Sequence, residues 1–160
     1  MIEQNFDIEI KADGRWFHEG GEIKRQGLVK LFASVLSCDE AGTHWLTTPV
    51  EKGRINVEDS AFVIQALRCE GKGRTAKIYF TDNLDTETLL SADTPLSMSP
   101  SPQDGEIKPY LLLSKGLRAR LLRSVFYELA EIALTQDESG EFIYSDGQAF
   151  SLSEPLQDKS

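Results

Sequence analysis

Histidine and cysteine are scarce here, two of each in 160 residues. Cys38 and Cys69 lack metal-ligand spacing, and two cysteines are too few for a disulfide framework. No metal and no cofactor are expected, and both thiols read as small core residues or bystanders in a reducing compartment. Long apolar runs are also missing: none approaches the ~20 residues that span a bilayer. The first ten residues carry no basic region followed by an apolar run, so a secretory signal is not expected. Positive charge is in deficit, 17 Lys and Arg against 26 Asp and Glu, a net charge of -9. Such a field repels phosphate backbones and excludes general nucleic-acid binding, with Lys115 to Arg123 as the only local basic patch. There is no Gly-x-Ser-x-Gly elbow and no glycine-rich loop ending in Lys-Ser or Lys-Thr. A cytoplasmic protein without membrane contact is the expectation.

What is present is period-two patterning broken by turns. Phe6, Ile8 and Ile10 alternate with Asp7, Glu9 and Lys11, which predicts a half-buried strand. Asp13-Gly14 then predicts a hairpin, because both residues tolerate positive φ. The returning strand puts Trp16 and His18 on one face and Phe17 on the other. Gly20-Gly21 turns the chain towards a helix from about Gln26, with Leu28, Leu31, Phe32, Val35 and Leu36 as its apolar stripe. Thr43 to Thr48 reads as a strand stopped by Pro49, and Lys52-Gly53 as a turn into Arg54 to Val57. Phe62 to Glu70 and Thr75 to Thr81 flank Gly71-Lys72-Gly73-Arg74 as a hairpin. A short helical turn is expected within Leu84 to Leu90. Ser91 to Glu106, with its prolines and serines, reads as a loop. Ile107 to Leu113 is a predicted strand. Leu117, Leu121, Leu122, Val125, Leu129, Ile132 and Ala133 predict a long helix, and Phe142 to Ser145 with Ala149 to Leu152 a hairpin about Asp146-Gly147. Glu154 to Ser160 reads as a frayed tail.

Ser34-Val35-Leu36 with Asp39-Glu40-Ala41-Gly42 matches Ser124-Val125-Phe126 with Asp137-Glu138-Ser139-Gly140 in the same order, so a structural repeat is expected over residues 23–57 and 113–152. The fold class that follows is α+β and β-rich, two small lobes built from a repeated strand-helix-hairpin motif with antiparallel sheets. Residues 1–92 form an N-terminal lobe with one helix, 93–106 a linker or loop, and 107–160 a C-terminal lobe with the long helix and hairpin.

Asp13-Gly14-Arg15-Trp16-Phe17, Ile23-Lys24-Arg25-Gln26-Gly27-Leu28-Val29-Lys30-Leu31-Phe32, Trp45-Leu46-Thr47-Thr48-Pro49-Val50-Glu51 and Val57-Glu58-Asp59 together resemble a bacterial family known as domain of unknown function 1285. The likeness runs from about residue 6 to residue 152. Glu22 and Ala61 stand where that family tends to place proline. The resemblance implies a β-rich α+β fold with repeated motifs and a part in signalling or ligand sensing. It brings no activity, cofactor or catalytic residue.

Among the residues themselves, His18-Glu19-Gly20-Gly21-Glu22 is only superficially like a metalloprotease helix, since the second histidine is missing and the glycines favour a turn. His18 and His44 flank tryptophans on predicted strands and could meet across a sheet. Glu51, Glu58 and Asp59 are the densest carboxylates beside irregular backbone, where burial could set up acid–base chemistry. Phe17 is assigned to the core under Leu28, Leu31 and Phe32, which leaves Trp16 as an apolar platform. The broken strand at Thr48 to Glu51 offers a recognition edge beside Trp45. The expectation is a non-enzymatic ligand- or protein-binding module with Trp16, His18, Trp45, Glu51, Glu58 and Asp59 as binding residues. The alternative is a hydrolase or isomerase using His18 or His44 with those carboxylates. A small molecule, peptide or protein is the expected partner, and a homodimer is compatible with the sequence.

Overall fold

Two compact units divide the chain, Met1–Ala61 with Ser114–Leu117, and Phe62–Leu113 with Arg118–Ser160. The computed structural model describes residues 2–153, so the tail expected at 154–160 lies outside the described residues.

In the first unit β1 (Ile2–Ile10), β2 (Trp16–His18) and β3 (Gly21–Glu22) form a meander. Helix α1 (Gln26–Ser34) follows, and β4 (Leu36–Cys38), β5 (His44–Thr47) and β6 (Glu51–Val57) return to the middle of the sheet. The order is β3-β2-β1-β6-β5-β4, with β1 and β6 parallel and all other neighbours antiparallel. One face is apolar: Ile8, Ile10, Trp16, Leu36, Leu46 and Ile55 are buried there together with Val29 of α1. Val29 is the buried residue of α1, whereas Leu31 is 62% exposed and Leu28 36%. The stripe read from the sequence was therefore rotated by one position, and Leu36 belongs to β4 instead of the helix. Helix α1 begins after Arg25 without a capping side-chain hydrogen bond.

Gly53 lies inside β6 and does not make the expected turn. A Cβ on it would fall 2.1 Å from the Phe6 ring, so the glycine opens the space that Phe6 fills. The actual turn is Thr48-Pro49-Val50, where Thr48 Oγ1 accepts from the Val50 and Glu51 amides.

The second unit repeats the topology. β7 (Phe62–Glu70), β8 (Lys77–Asp82) and β9 (Glu87–Leu89) run outward, and β10 (Leu96–Pro100), β11 (Ile107–Leu112) and β12 (Arg118–Leu121) run back. The order β10-β11-β12-β7-β8-β9 again centres on one parallel pair, here β12 and β7. The sheets are therefore mixed where antiparallel pairing alone was expected. Phe62, Val63 and Ile64 are buried in succession, the mark of a strand covered on both faces. Helix α2 (Arg123–Gln136) buries Val125, Leu129 and Ala133, and leads to the antiparallel hairpin β13 (Phe142–Ser145) and β14 (Gln148–Ser151).

These elements correct the lobe boundaries. The proline-rich stretch at 93–106 contains the whole of β10, where Leu96, Ser97 and Met98 are buried and paired with β11, so residues 62–92 share a sheet with 96–121. Where a short helical turn was expected within Leu84 to Leu90, the chain forms β9. Each helix leads into an antiparallel pair, but β4 and β5 join the six-stranded sheet while β13 and β14 stand as their own sheet. The correspondence of β1 to β6 with β7 to β12 is the more complete repeat.

One hydroxyl ties the β13–β14 hairpin to its unit. Ser145 is fully buried; its Oγ accepts from Ile78 N at 2.9 Å and donates to Leu90 O at 2.7 Å. Ser145→Ala would strand a buried donor and a buried acceptor at once, at about 1–3 kcal/mol for each unsatisfied group. The expected loss in urea unfolding is about 2–6 kcal/mol, and Ser145→Thr should recover part of it.

Candidate functional site

The face of the first sheet opposite the core is wet and carries Trp45 and Thr47 of β5 with the charged alternates of β6. Trp45 and Arg54 are cross-strand partners, and Thr47 pairs with Lys52, so all four share that face. Lys52 Nζ lies 4.5 Å from the Trp45 ring centroid and the Arg54 guanidinium carbon 5.6 Å from it. Contacts of this kind contribute roughly 0.5–1 kcal/mol at exposed positions. The indole is fixed from its other end, where Trp45 Nε1 donates to Asp39 Oδ2 at 2.9 Å. That bond first, and the Thr43 amide next, hold the Asp39 carboxyl below the ordinary aspartate range. Asp39 also receives the Ala41 and Thr43 amides, so the β4–β5 turn and the ring are one assembly.

Beside this assembly lies an open groove of about 450 Å³, lined by Asn5, Thr43, His44, Arg54 and Asn56 among others. The lining is mainly polar, and its volume falls within the roughly 300–1,000 Å³ of small-molecule sites. Arg15, Arg68 and Arg74 each meet a carboxylate. Arg54 meets none among the described residues, and it is exposed. A guanidinium held over an aromatic face, with two amides beside it, presents forked donors to an oxyanion.

The remaining predicted site residues are dispersed. Trp16 is a correction: it is 1% exposed, opposite Ile10 in the β1–β2 register, and stacks on Phe32 at 6.3 Å. It belongs to the core, while Phe17 is half-buried on the other face with Lys11 and Arg15 over its ring. His18 is exposed at the end of β2. His44 lies on β5, and β1 and β6 intervene, a separation of about 14 Å at ~4.8 Å per strand. The two histidines do not meet. Glu51 opens β6 and accepts from Gln4 Nε2, whereas Glu58 follows its far end and accepts from Ala12 N. Seven residues at ~3.3 Å separate those carboxylates by about 23 Å. Asp59 is 3% exposed in the segment after β6. Nor is β5 a free edge, since it lies between β4 and β6.

Lys52, Arg54, Asn56 and Asp39 were not among the sequence candidates. The alternation Lys52, Arg54, Asn56 was visible, but taking Lys52-Gly53 as a turn broke it. Among the described residues, no three His, Cys, Asp or Glu side chains converge on a metal position. No helix of the described residues is long and apolar enough to cross a membrane.

Two family models match the chain, a domain of unknown function (DUF1285), N-terminal domain, over residues 2–60, and a protein of unknown function (DUF1285), C-terminal domain, over residues 61–152. Their junction falls at the boundary of the compact units. A DUF1285 family protein from Silicibacter pomeroyi DSS-3 is similar in structure, with a TM-score of 0.81 at 33% identity over 92% of this chain and 80% of that one. A DUF1285 family protein from Shewanella baltica OS155 gives a TM-score of 0.59 at 26% identity, over 78% of this chain and 91% of that one. No curated protein matches.

Proposed function

The chain belongs to the DUF1285 family, and from that premise we propose that it is a non-enzymatic binding module whose first unit holds a small polar anion against the Trp45 face of its sheet. The observation that carries this reading is Arg54: an exposed guanidinium, positioned over Trp45 and meeting no carboxylate among the described residues, at a groove that Asn5 and Asn56 also line. Bidentate bonding to a carboxylate or phosphate satisfies that geometry, and the groove accepts a ligand of metabolite size. The acid–base alternative draws no support from the geometry, because three strand spacings separate the two histidines and Glu51 and Glu58 stand at opposite ends of β6. The module is proposed to work in the cytoplasm, where Cys38 and Cys69 remain thiols, and to serve signalling through occupancy of this groove.

The test is calorimetric titration of the full chain with citrate and with inorganic phosphate. Saturable binding of either, weakened about tenfold or more by Arg54→Gln and less by Arg54→Lys, is the expected result. Absence of saturable binding of both anions, or binding indifferent to Arg54→Gln, overturns the reading.

A further inference from the structure

A second cavity, in the second unit, differs in chemistry from the first. Its volume is about 360 Å³, and it opens between β11, β12 and the first turns of α2. Met98 and Leu121, both buried, contribute apolar lining, while Phe126, Tyr127 and Ile107 add further apolar surface. Tyr127 is 59% exposed and Ile107 51%, so two large apolar side chains beside a concavity face solvent. Three cations border the same space: Lys108, Arg120 and Arg123. Glu106 is the one acidic lining residue, and Lys108 is engaged by Asp104 at 3.3 Å. Arg123 is exposed and has no carboxylate or hydrogen-bond partner for its side chain among the described residues, and the first turn of α2 has no acid to offset it. In a chain of net charge -9, this is a local excess of positive charge joined to an apolar recess.

We infer that this cavity is a second ligand site, for a small aromatic carboxylate. The ring lies against Phe126 and Tyr127 over Met98 and Leu121, and the carboxylate meets Arg123 with Arg120 beside it. The charge requires an anion, and the aromatic and aliphatic lining requires an apolar body of one or two rings; a wholly polar anion would leave that lining wet. The site therefore selects against the ligand class proposed for the first unit.

The probe is 2-naphthoate, titrated calorimetrically into the full chain, with 2-naphthylmethanol as the neutral counterpart of the same shape. Saturable 2-naphthoate binding is expected, about tenfold or more tighter than the alcohol, and weakened about tenfold by Arg123→Gln, which removes one charge-assisted contact. Arg123→Lys should retain part of the affinity. Amide shifts on titration should fall on residues 98–127 and leave 42–57 unmoved. Loss of binding in an Arg123→Gln protein with an unchanged melting temperature supports the site. No saturable binding, equal binding of acid and alcohol, or shifts confined to 42–57 overturns it.

Discussion

Replacing Trp16 with alanine is expected to destabilise the protein by about 3–5 kcal/mol, the range for deleting a buried aromatic. The indole is 1% exposed, shares a face with Ile8 and Ile10, and stacks on Phe32 of α1. Phe17, one residue on, is half-buried and capped by Lys11 and Arg15, so Phe17→Ala should cost only about 1–2 kcal/mol. A second substitution separates packing from polarity. Trp16 Nε1 is buried without a hydrogen-bond partner among the described residues, a condition that costs about 1–3 kcal/mol. Trp16→Phe removes the orphaned donor along with some volume, and its net loss should be well below that of Trp16→Ala. Urea unfolding of the three variants checks the order. A larger loss at Phe17 than at Trp16 would mean that the sheet presents its faces the other way round.

Gly116→Ala is the second large effect, expected to cost about 2–5 kcal/mol. Gly116 has φ +73, where an alanine is strained by roughly 1–2 kcal/mol. Its added Cβ would also lie 2.3 Å from the carbonyl oxygen of Cys38 within the first unit, and displacing backbone adds about 1–3 kcal/mol. Gly20 is the control: it has φ +83 but nothing within 4 Å of an added Cβ, so Gly20→Ala should show the conformational term alone. Equal losses at the two glycines would remove the contact with Cys38 from the account.

Turns were the most legible part of the sequence, because residues that tolerate positive φ mark them chemically. Asp13-Gly14 joins β1 to β2, and Asp146-Gly147, with φ +52 and +76, joins β13 to β14. Patterns consistent with two periods were not legible. Leu117 and Leu121 are four apart, as on a helix, yet Leu117, Ala119 and Leu121 alternate with Arg118 and Arg120, as on a strand. The structure takes the strand for β12 and starts α2 at Arg123, where Val125, Leu129 and Ala133 follow a helical period without that conflict. Parallel pairing of β1 with β6 and of β7 with β12 joins segments far apart in sequence, and no local spacing reports it.

The site was half legible for related reasons. Trp45 lies on the wet face of its sheet, the placement that a strand tryptophan beside polar alternates suggests. Its cations were hidden by Gly53, a residue that reads as a turn unless the Phe6 ring that packs on it is known. Trp16 was misplaced because the face of β2 depends on the Ile10 to Trp16 register, and the buried alternation of β1 passes to β2 only through that pairing. Glu51 and Glu58 looked close in sequence, but an extended strand carries them to opposite ends.

The two indole N–H resonances provide the most direct measurement of the central claim, that the first unit binds an anion at Trp45 while Trp16 serves only the core. In an ¹H–¹⁵N spectrum of the full chain titrated with citrate, the Trp45 resonance, identified by its loss in Trp45→Phe, should move saturably while that of Trp16 stays fixed. Arg54→Gln should abolish the movement at the same citrate concentrations. A Trp45 resonance that stays still with citrate and with inorganic phosphate alike, or a Trp16 resonance that moves in its place, would contradict the account.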